Sequence, residues 1–386
     1  MTMIRQDIIE KIKDYFYKGF SYRLIHYLIQ RNHNCDISFN ILKRRILPSL
    51  NLRRRQTDID IDEVFDKAQL EILNGCSGAE NLRQTLKMKY HLYVTRSISR
   101  EIVQLLDGEG VERRKRRRLR RRQYFSKGPN FVWHLDGYDK LKPYGICIHG
   151  CIDGFSRRLI WLEADITNKR PEVVAEYYLN AVCTLNGCPQ KIRADPGTEN
   201  GITATFHSFL KDDAISVTMG TSTANQRIER FWGLLRQKKA DFWIHHFKIM
   251  VFEELLIIGN PIHRLCIQYV YLPLIKRELK EIMEQWNNHS IRKQKLGDTI
   301  QGIPDVLFQN PEIVGASQYL YAVPEITVNH LQRLICNIYK IIDEDFSIVA
   351  GSILRHFELP LPDNVTDFTS ACHMYKLLVD CLSRIL

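Results

Sequence analysis

Phe131-Val132-Trp133-His134-Leu135-Asp136-Gly137-Tyr138 is rich in β-formers, and its alternation sets Asp136 at the end or on the exposed face of a strand. Tyr144 to Asp153, the turn Gly154-Phe155-Ser156-Arg157 and Arg158 to Ala164 read as a hairpin that extends the same antiparallel sheet. Pro171 to Leu185 has helical periodicity, with proline in its first turn and Gly187 just past its end. Gln190 to Asp195 is a strand that also ends in an acid and is stopped by Pro196-Gly197. A short strand at Ser216 to Met219 follows, and Asn225-Gln226-Arg227-Ile228-Glu229-Arg230-Phe231-Trp232 opens a long helix with Glu229 on its face. The expected core is therefore a mixed five-stranded α/β sheet flanked by helices: three antiparallel strands, a helix, a strand, a short helix, a strand and a helix.

Taken singly, an acid after a strand is most often a solvated turn residue or a cap, and Asp139, Asp153 and Glu199 stand in similar settings. It is the grouping that distinguishes Asp136, Asp195 and Glu229. The runs Trp133 to Gly137, Asp153 to Arg157, Arg193-Ala194-Asp195-Pro196-Gly197-Thr198-Glu199-Asn200 and Asn225 to Trp232 resemble the core of the integrase and DDE-transposase superfamily. They are most similar to integrase-core proteins carried in animal and fungal genomes as genes derived from mobile elements. The resemblance runs from about the first helix to Pro311 and implies a ribonuclease-H-like fold, in agreement with the strand order.

It also implies a site. Strand transfer is an in-line displacement at phosphorus, and two divalent ions about 3.5–4 Å apart activate the attacking oxygen and stabilise the leaving one. Mg²⁺ or Mn²⁺ takes hard oxygen ligands, so a few carboxylates suffice. By the resemblance, Asp136 bridges two ions, Asp195 holds one and Glu229 the other. The intervals of 59 and 34 residues between the acids leave room for a hairpin and helix, then for a helix and strand.

Neighbouring charges suit a polyanion. Arg236 lies two helical turns beyond Glu229, and Lys238 and Lys239 follow. They either contact phosphates or form a solvated basic helix end that complements the helix dipole. Thr221 to Asn225 supplies cap residues for the helix; in the family such a loop approaches DNA. Near the end of the expected core, His289 and Arg292 either reach substrate or merely flank a packed Trp286.

The chain has 386 residues, 45% of them hydrophobic, enough for two or three domains with real cores. No run reaches about 18 apolar residues, and Met1 to Lys11 lacks a secretory pattern, so neither membrane insertion nor secretion is expected. Ten cysteines show no zinc-ligand spacing: Cys147 with Cys151 and Cys183 with Cys188 lack paired histidines, which favours reduced, mostly buried thiols.

Charge is partitioned. Residues 1–130 hold 28 Lys and Arg against 15 Asp and Glu, net +13, whereas 131–386 hold 27 against 29, net −2. The positive excess in front of the core is the footprint of a nucleic-acid-binding arm. Within the arm, Ile4 to Gly19 and Ser21 to Arg31 are amphipathic helices, and Ser38 caps a third that runs to Ile46. A 57-residue offset repeats the pattern, matching Ile25 to Leu82, Ile29 to Leu86, Ile37 to Val94, Ile41 to Ile98 and Ile46 to Val103, with Thr95 in the place of Ser38. Two helix-turn-helix units follow, presenting Asn40, Lys43, Arg44, Arg96 and Arg100 to DNA; a helical packing module is the alternative. Gln56 to Asp66 is acidic and reads as a linker or a short helix.

Arg113, Arg114, Lys115, Arg116, Arg117, Arg118, Arg120, Arg121 and Arg122 make nine basic residues in ten. Such a run is expected to act as a phosphate-tracking strap, a nuclear-localisation signal, or both. From Glu312 onward the chain reads as amphipathic helices that cover the core or pair with another copy. Pro261 and Pro273 are expected to break the helical stretch Phe252 to Gln285.

The expected organisation is a helix-turn-helix unit at 1–55, a linker and second unit at 56–110, a basic linker at 111–128, the catalytic core at 129–310 and an α-helical tail at 311–386. The expected activity is metal-dependent DNA cleavage and strand transfer in the nucleus, by a homo-oligomer assembled on DNA. One alternative is a domesticated, non-catalytic DNA-binding protein derived from a transposon. Another is a nuclease of the same fold acting on RNA or hybrid duplexes.

Overall fold

The computed structural model describes residues 5–52, 60–115, 126–220, 225–292, 300–336 and 344–385, and the chain divides into two units, Met1–Arg118 and Leu119–Leu386.

Helices α1 (Gln6–Tyr17), α2 (Tyr22–His33) and α3 (Phe39–Ile41) open the first unit, α3 passing through a π turn at Leu42–Ile46 into α4 (Leu47–Ser49). Then come α5 (Ile61–Leu73), α6 (Ala79–Tyr90), α7 (Arg96–Leu106) and α8 (Gly108–Lys115). The repeat is real at the level of single residues. Tyr22 and Ala79, which open α2 and α6, are separated by the offset of the sequence repeat, as are Phe39 and Arg96, which open α3 and α7. The left-handed residues Asn34 and His91, which end α2 and α6, obey it too.

Ser38 and Thr95 accept the N–H of Ile41 and Ile98 at 3.3 Å each, satisfying a donor that the helix start leaves open. Four matched pairs are buried: Ile25 with Leu82, Ile29 with Leu86, Ile37 with Val94 and Ile46 with Val103. Ile41 departs from the pattern, being 44% exposed. The acidic stretch is no linker from residue 61 onward: Asp60 caps α5 by accepting the N–H of Asp62 and Glu63, and those acids complement the N-terminal end of the helix dipole.

In the second unit, β1 (Val132–Tyr138), β2 (Cys147–Asp153) and β3 (Leu159–Asp165) form the antiparallel meander. After α9 (Pro171–Leu185) and β4 (Gly187–Cys188), β5 (Lys191–Ala194) returns beside β1; α10 (Gly201–Lys211) then leads to β6 (Val217–Met219). The sheet order is β3-β2-β1-β5-β6, with β1·β5 and β5·β6 parallel. This is the mixed five-stranded sheet of a ribonuclease-H-like core. The hairpin strand begins later than its apolar pattern suggests, because Asp139–Tyr144, holding Pro143, winds as a 3₁₀ turn.

Helix α11 (Gln226–Leu235) passes through a π turn at Arg236–Ala240 into α12 (Asp241–Phe252), and α13 (Pro261–Asn287) follows. Pro261 starts α13, as a first-turn proline does, but Pro273 lies inside it without ending it. Burial of Cys266, Ile267, Val270, Tyr271, Leu274 and Ile275 on both sides of Pro273 outweighs the hydrogen bond that proline removes.

Period-two alternation divides the core. Trp133 and Leu135 of β1 face α9 and pack with Tyr178, Leu179 and Val182, while Tyr138 faces Ile228, Phe231 and Trp232 of α11. Asp136, two residues before Tyr138, is thereby set on the α11 side.

The tail covers both flanks. After α14 (Pro304–Gln309), β7 (Tyr321–Ala322) pairs with β4, and α15 (Glu325–Cys336) adds Val328, Leu331 and Ile335 to the α9 cluster. Beyond α16 (Glu344–His356), α17 (Phe368–Ile385) packs on α13, where Tyr375 Oη and His263 Nδ1 lie 2.8 Å apart.

Candidate active site

Strand register brings the two aspartates together. In the parallel pair, Val132 aligns with Lys191, Trp133 with Ile192 and His134 with Arg193. Continuing that register by two residues sets Asp195 beside Asp136, on a neighbouring chain about 4.8 Å away. Asp195 directly follows β5, and the turn after it folds back so that Asn200 Nδ2 donates to the Asp195 carbonyl at 3.2 Å. Its Oδ1 is buried and has no hydrogen-bond partner among the described residues.

Glu229 reaches the same region from α11, and Asn225 fixes where that helix begins. The Asn225 Nδ2 donates to the Leu135 carbonyl at 2.8 Å, and its Oδ1 lies 2.7 Å from His134 Nδ1. Since an amide oxygen only accepts, the imidazole carries its proton on Nδ1. Burial pushes His134 down to about 4, which keeps the ring neutral. Glu229 N then donates to the Asn225 carbonyl at 3.2 Å, so one residue clamps the helix bearing Glu229 to the strand bearing Asp136. Asn225 was expected to act as a cap; instead its side chain caps nothing and turns back to β1.

A second tie comes from Trp232, one turn beyond Glu229. Its indole Nε1 donates to Asp136 Oδ2 at 2.7 Å, while Gly137 N donates to Asp136 Oδ1 at 2.9 Å. Gly150, which faces Asp136 across the β1·β2 ladder, makes room for this ring: a Cβ there would lie 2.8 Å from Trp232 Cη2. His134 and Trp232 carried no assigned role in the sequence, although a polar residue on a strand otherwise patterned as core was a visible signal.

The three carboxylates act on one another. Burial pushes Asp136 up to about 7; Glu229 and Asp195 add to that rise, and the Trp232 hydrogen bond opposes it. Asp195 is raised by burial and by Glu199, and Glu229 by burial and by Asp195, with Lys140 pulling it down. The arrangement is an open one: among the described residues no three His, Cys, Asp or Glu side chains converge into a metal cage. In chemistry the acids suit hard divalent cations, since they offer carboxylate oxygens, one of them buried and unpartnered, in a field of mutual repulsion that a cation relieves.

The expected phosphate contacts fare differently. Arg236 pairs with Asp241 at 2.9 Å, both side chains being half exposed. Lys239 pairs with Glu278 at 2.7 Å, is only 13% exposed and lies over the Phe242 ring. Lys238 donates to Gln285. Of the expected macrodipole complement, the Lys239 charge thus goes to a half-buried carboxylate on α13, Glu278. In the first unit, Arg44 and Arg100 are exposed, as are Asn40, Lys43 and Arg96. Arg113 and Arg114 lie on the α8 backbone, their side chains outside the description; Arg116, Arg117, Arg118, Arg120, Arg121 and Arg122, like Thr221 to Ala224, lie outside the described residues.

A five-stranded mixed sheet carrying Asp136 within β1, Asp195 just after the neighbouring parallel β5 and Glu229 on α11 defines a ribonuclease-H-like fold. Residues 123–308 match the family model described as integrase core domain, which supports the integrase and DDE superfamily for this part of the chain. The family suggests a polynucleotidyl transferase-like function, and integrase core domains generally use divalent metals on nucleic acid. No curated protein matches the chain, and no described helix is long and apolar enough to cross a membrane.

Proposed function

We propose that the protein cleaves DNA and joins DNA strands as an integrase- or transposase-like transferase, with Asp136, Asp195 and Glu229 holding two Mg²⁺ or Mn²⁺ ions. The observation that carries this reading is the register that sets Asp195 beside Asp136 while Glu229 raises the same carboxylate. When bound, two such ions activate an attacking oxygen and stabilise a leaving one.

The chain's own residues supply position and dryness. Asp136 keeps lone pairs after accepting from Trp232 and Gly137, since an ionised carboxylate offers about four acceptor sites. Asn225 and neutral His134 hold α11 against β1, which fixes where the Glu229 carboxylate stands. Water is the nucleophile in the cleavage step and a DNA 3′-hydroxyl in the joining step, so no covalent enzyme intermediate is required.

DNA capture falls to the paired three-helix units, read as helix-turn-helix modules with Arg44 and Arg100 outward, and to the basic run Arg113 to Arg122, which also suits nuclear import. Two DNA ends joined in concert call for a homo-oligomer on DNA.

Strand cleavage and joining on radiolabelled duplex DNA, with Mg²⁺ or Mn²⁺, tests the reading against Glu229→Gln. Metal-dependent products that vanish in the variant are expected. Tight DNA binding with no product from either metal, on cognate ends, would favour a domesticated DNA-binding protein. Preferential cleavage of an RNA–DNA hybrid in competition would favour the nuclease.

A further inference from the structure

Two adjacent arginines in the β2–β3 turn have opposite fates. Arg158 is neutralised: its Nε donates to Asp305 Oδ1 at 2.7 Å and its guanidinium lies over the Phe308 ring. Arg157 is half-buried and, among the described residues, has no carboxylate within ion-pair reach. Its neighbours are instead cations. Arg227, at the start of α11, donates from Nε to the Gly154 carbonyl at 3.0 Å, which lays its guanidinium against the same turn. Arg230 is one helical turn further on, exposed and also without an ion-pair partner among the described residues.

We propose that Arg157, Arg227 and Arg230 form a phosphate-binding cluster that seats the backbone of a DNA strand beside Glu229. The proposal rests on the DNA-acting reading above and adds a subsite to it.

The fold does not need the Arg157 side chain. What the turn uses is the backbone: the Arg157 carbonyl accepts the Trp286 indole N–H at 2.6 Å, which any residue would supply. The backbone itself disfavours an arginine, since φ is +64° and glycine or asparagine adopts that region more readily. A long cation retained there, half-buried and with no carboxylate within ion-pair reach among the described residues, is costly unless an anion joins it.

Burial followed by Arg227 and Arg230 pushes the Arg157 guanidinium down to about 10, which places all three within one field. Guanidinium forks match phosphate oxygens in pairs, a geometry that lysine does not provide. Both helix arginines are close to Glu229 along α11, Arg230 directly after it and Arg227 two residues before it.

The test is equilibrium binding of the full chain to duplex DNA across a range of salt, for wild type, Arg157→Gln, Arg230→Gln, the double variant and Arg158→Gln, with thermal melts of each. Each phosphate contact contributes about 0.9 to the slope of log affinity against log salt. Arg157→Gln and Arg230→Gln should each flatten it by about that amount, and the double variant by about twice as much. Arg158→Gln should lower the melting temperature and leave the slope alone. A steep wild-type slope that the double variant does not change would overturn the cluster and leave the DNA-acting reading standing. A wild type with no salt-dependent binding would overturn both. Should Arg157→Gln fold poorly, exposed Arg230 carries the test by itself.

Discussion

Asp136, half-buried, and Asp153, fully buried, are two aspartates in one antiparallel ladder, and they are held in opposite ways. Asp153 is fully buried and its carboxylate accepts four hydrogen bonds: Asn130 N at 2.7 Å, Phe155 N at 3.1 Å, Ser156 N at 2.7 Å and Ser156 Oγ at 2.8 Å. Every donor comes from its own turn or from the segment just ahead of β1. Asp136 accepts two and shares its surroundings with Glu229 and Asp195. An acid that serves the fold has its acceptor capacity filled from nearby. An acid placed for chemistry keeps capacity in reserve and tolerates repulsion that a substrate or cation would relieve.

Paired amide substitutions should separate the two. Asp136→Asn is expected to lower strand-transfer activity by about 10³-fold or more, because a metal ion contributes several kcal/mol to the transition state. Its thermal stability should stay within about 1 kcal/mol of wild type or rise, since one of three mutually repelling charges is gone. Asp153→Asn should do the reverse to the fold. An amide N–H₂ turned toward N–H donors leaves at least one buried donor unsatisfied, at a cost of about 3 kcal/mol. Chemical denaturation of both variants reads this directly. Equal destabilisation by the two would erase the distinction.

Acid pH gives a second handle on Asp153. Burial pushes its carboxyl up to about 6, although three N–H groups and a hydroxyl pull the other way. The unfolded chain releases this proton near 3.8, whereas the folded chain holds it until about 6. Between those values unfolding releases a proton, so raising pH favours the unfolded chain. The stability from this group is complete below about pH 4 and is lost as pH rises through 6, a drop of up to about 3 kcal/mol. Unfolding free energies across pH 4 to 7 should show that step in wild type and a shallower profile in Asp153→Asn. Parallel profiles would mean the Asp153 carboxylate is held ionised by its donors throughout.

The sequence disclosed elements with local signatures more readily than it disclosed partners. Strand β1, helix α9 and the start of α11 were legible because alternation, a first-turn proline and an apolar helix face are written within a few residues of one another. The offset repeat was legible for the same reason, down to the capping Ser38 and Thr95. Pro273 misled because its cost is local while the burial that overrides it comes from elements far along the chain. Asn225 misled in the same way: its composition says cap, yet its partners Leu135 and His134 lie 90 and 91 residues away. The fate of Lys239 depended on Glu278, and that of Arg158 on Asp305, neither of which sequence proximity announces.

The smallest expected effect tests how firmly Asp136 is held. Trp232→Phe keeps an aromatic ring in the space that Gly150 leaves and near Tyr138, whose ring centroid lies 5.4 Å from that of Trp232. It removes only the N–H that Asp136 Oδ2 accepts. Loss of one hydrogen bond to a partly buried carboxylate should cost about 1–2 kcal/mol of stability. Groups that orient a metal-binding carboxylate typically change affinity by about 10–100-fold when removed. Binding of Mn²⁺ to the full chain, followed by electron paramagnetic resonance, should therefore weaken by about tenfold in Trp232→Phe and disappear in Asp136→Asn. Unchanged affinity in Trp232→Phe would mean that Gly137 and the strand alone orient Asp136. Tighter binding would mean that the indole competes with the cation for Oδ2, and that the acid used for chemistry is capped by its own helix until metal arrives.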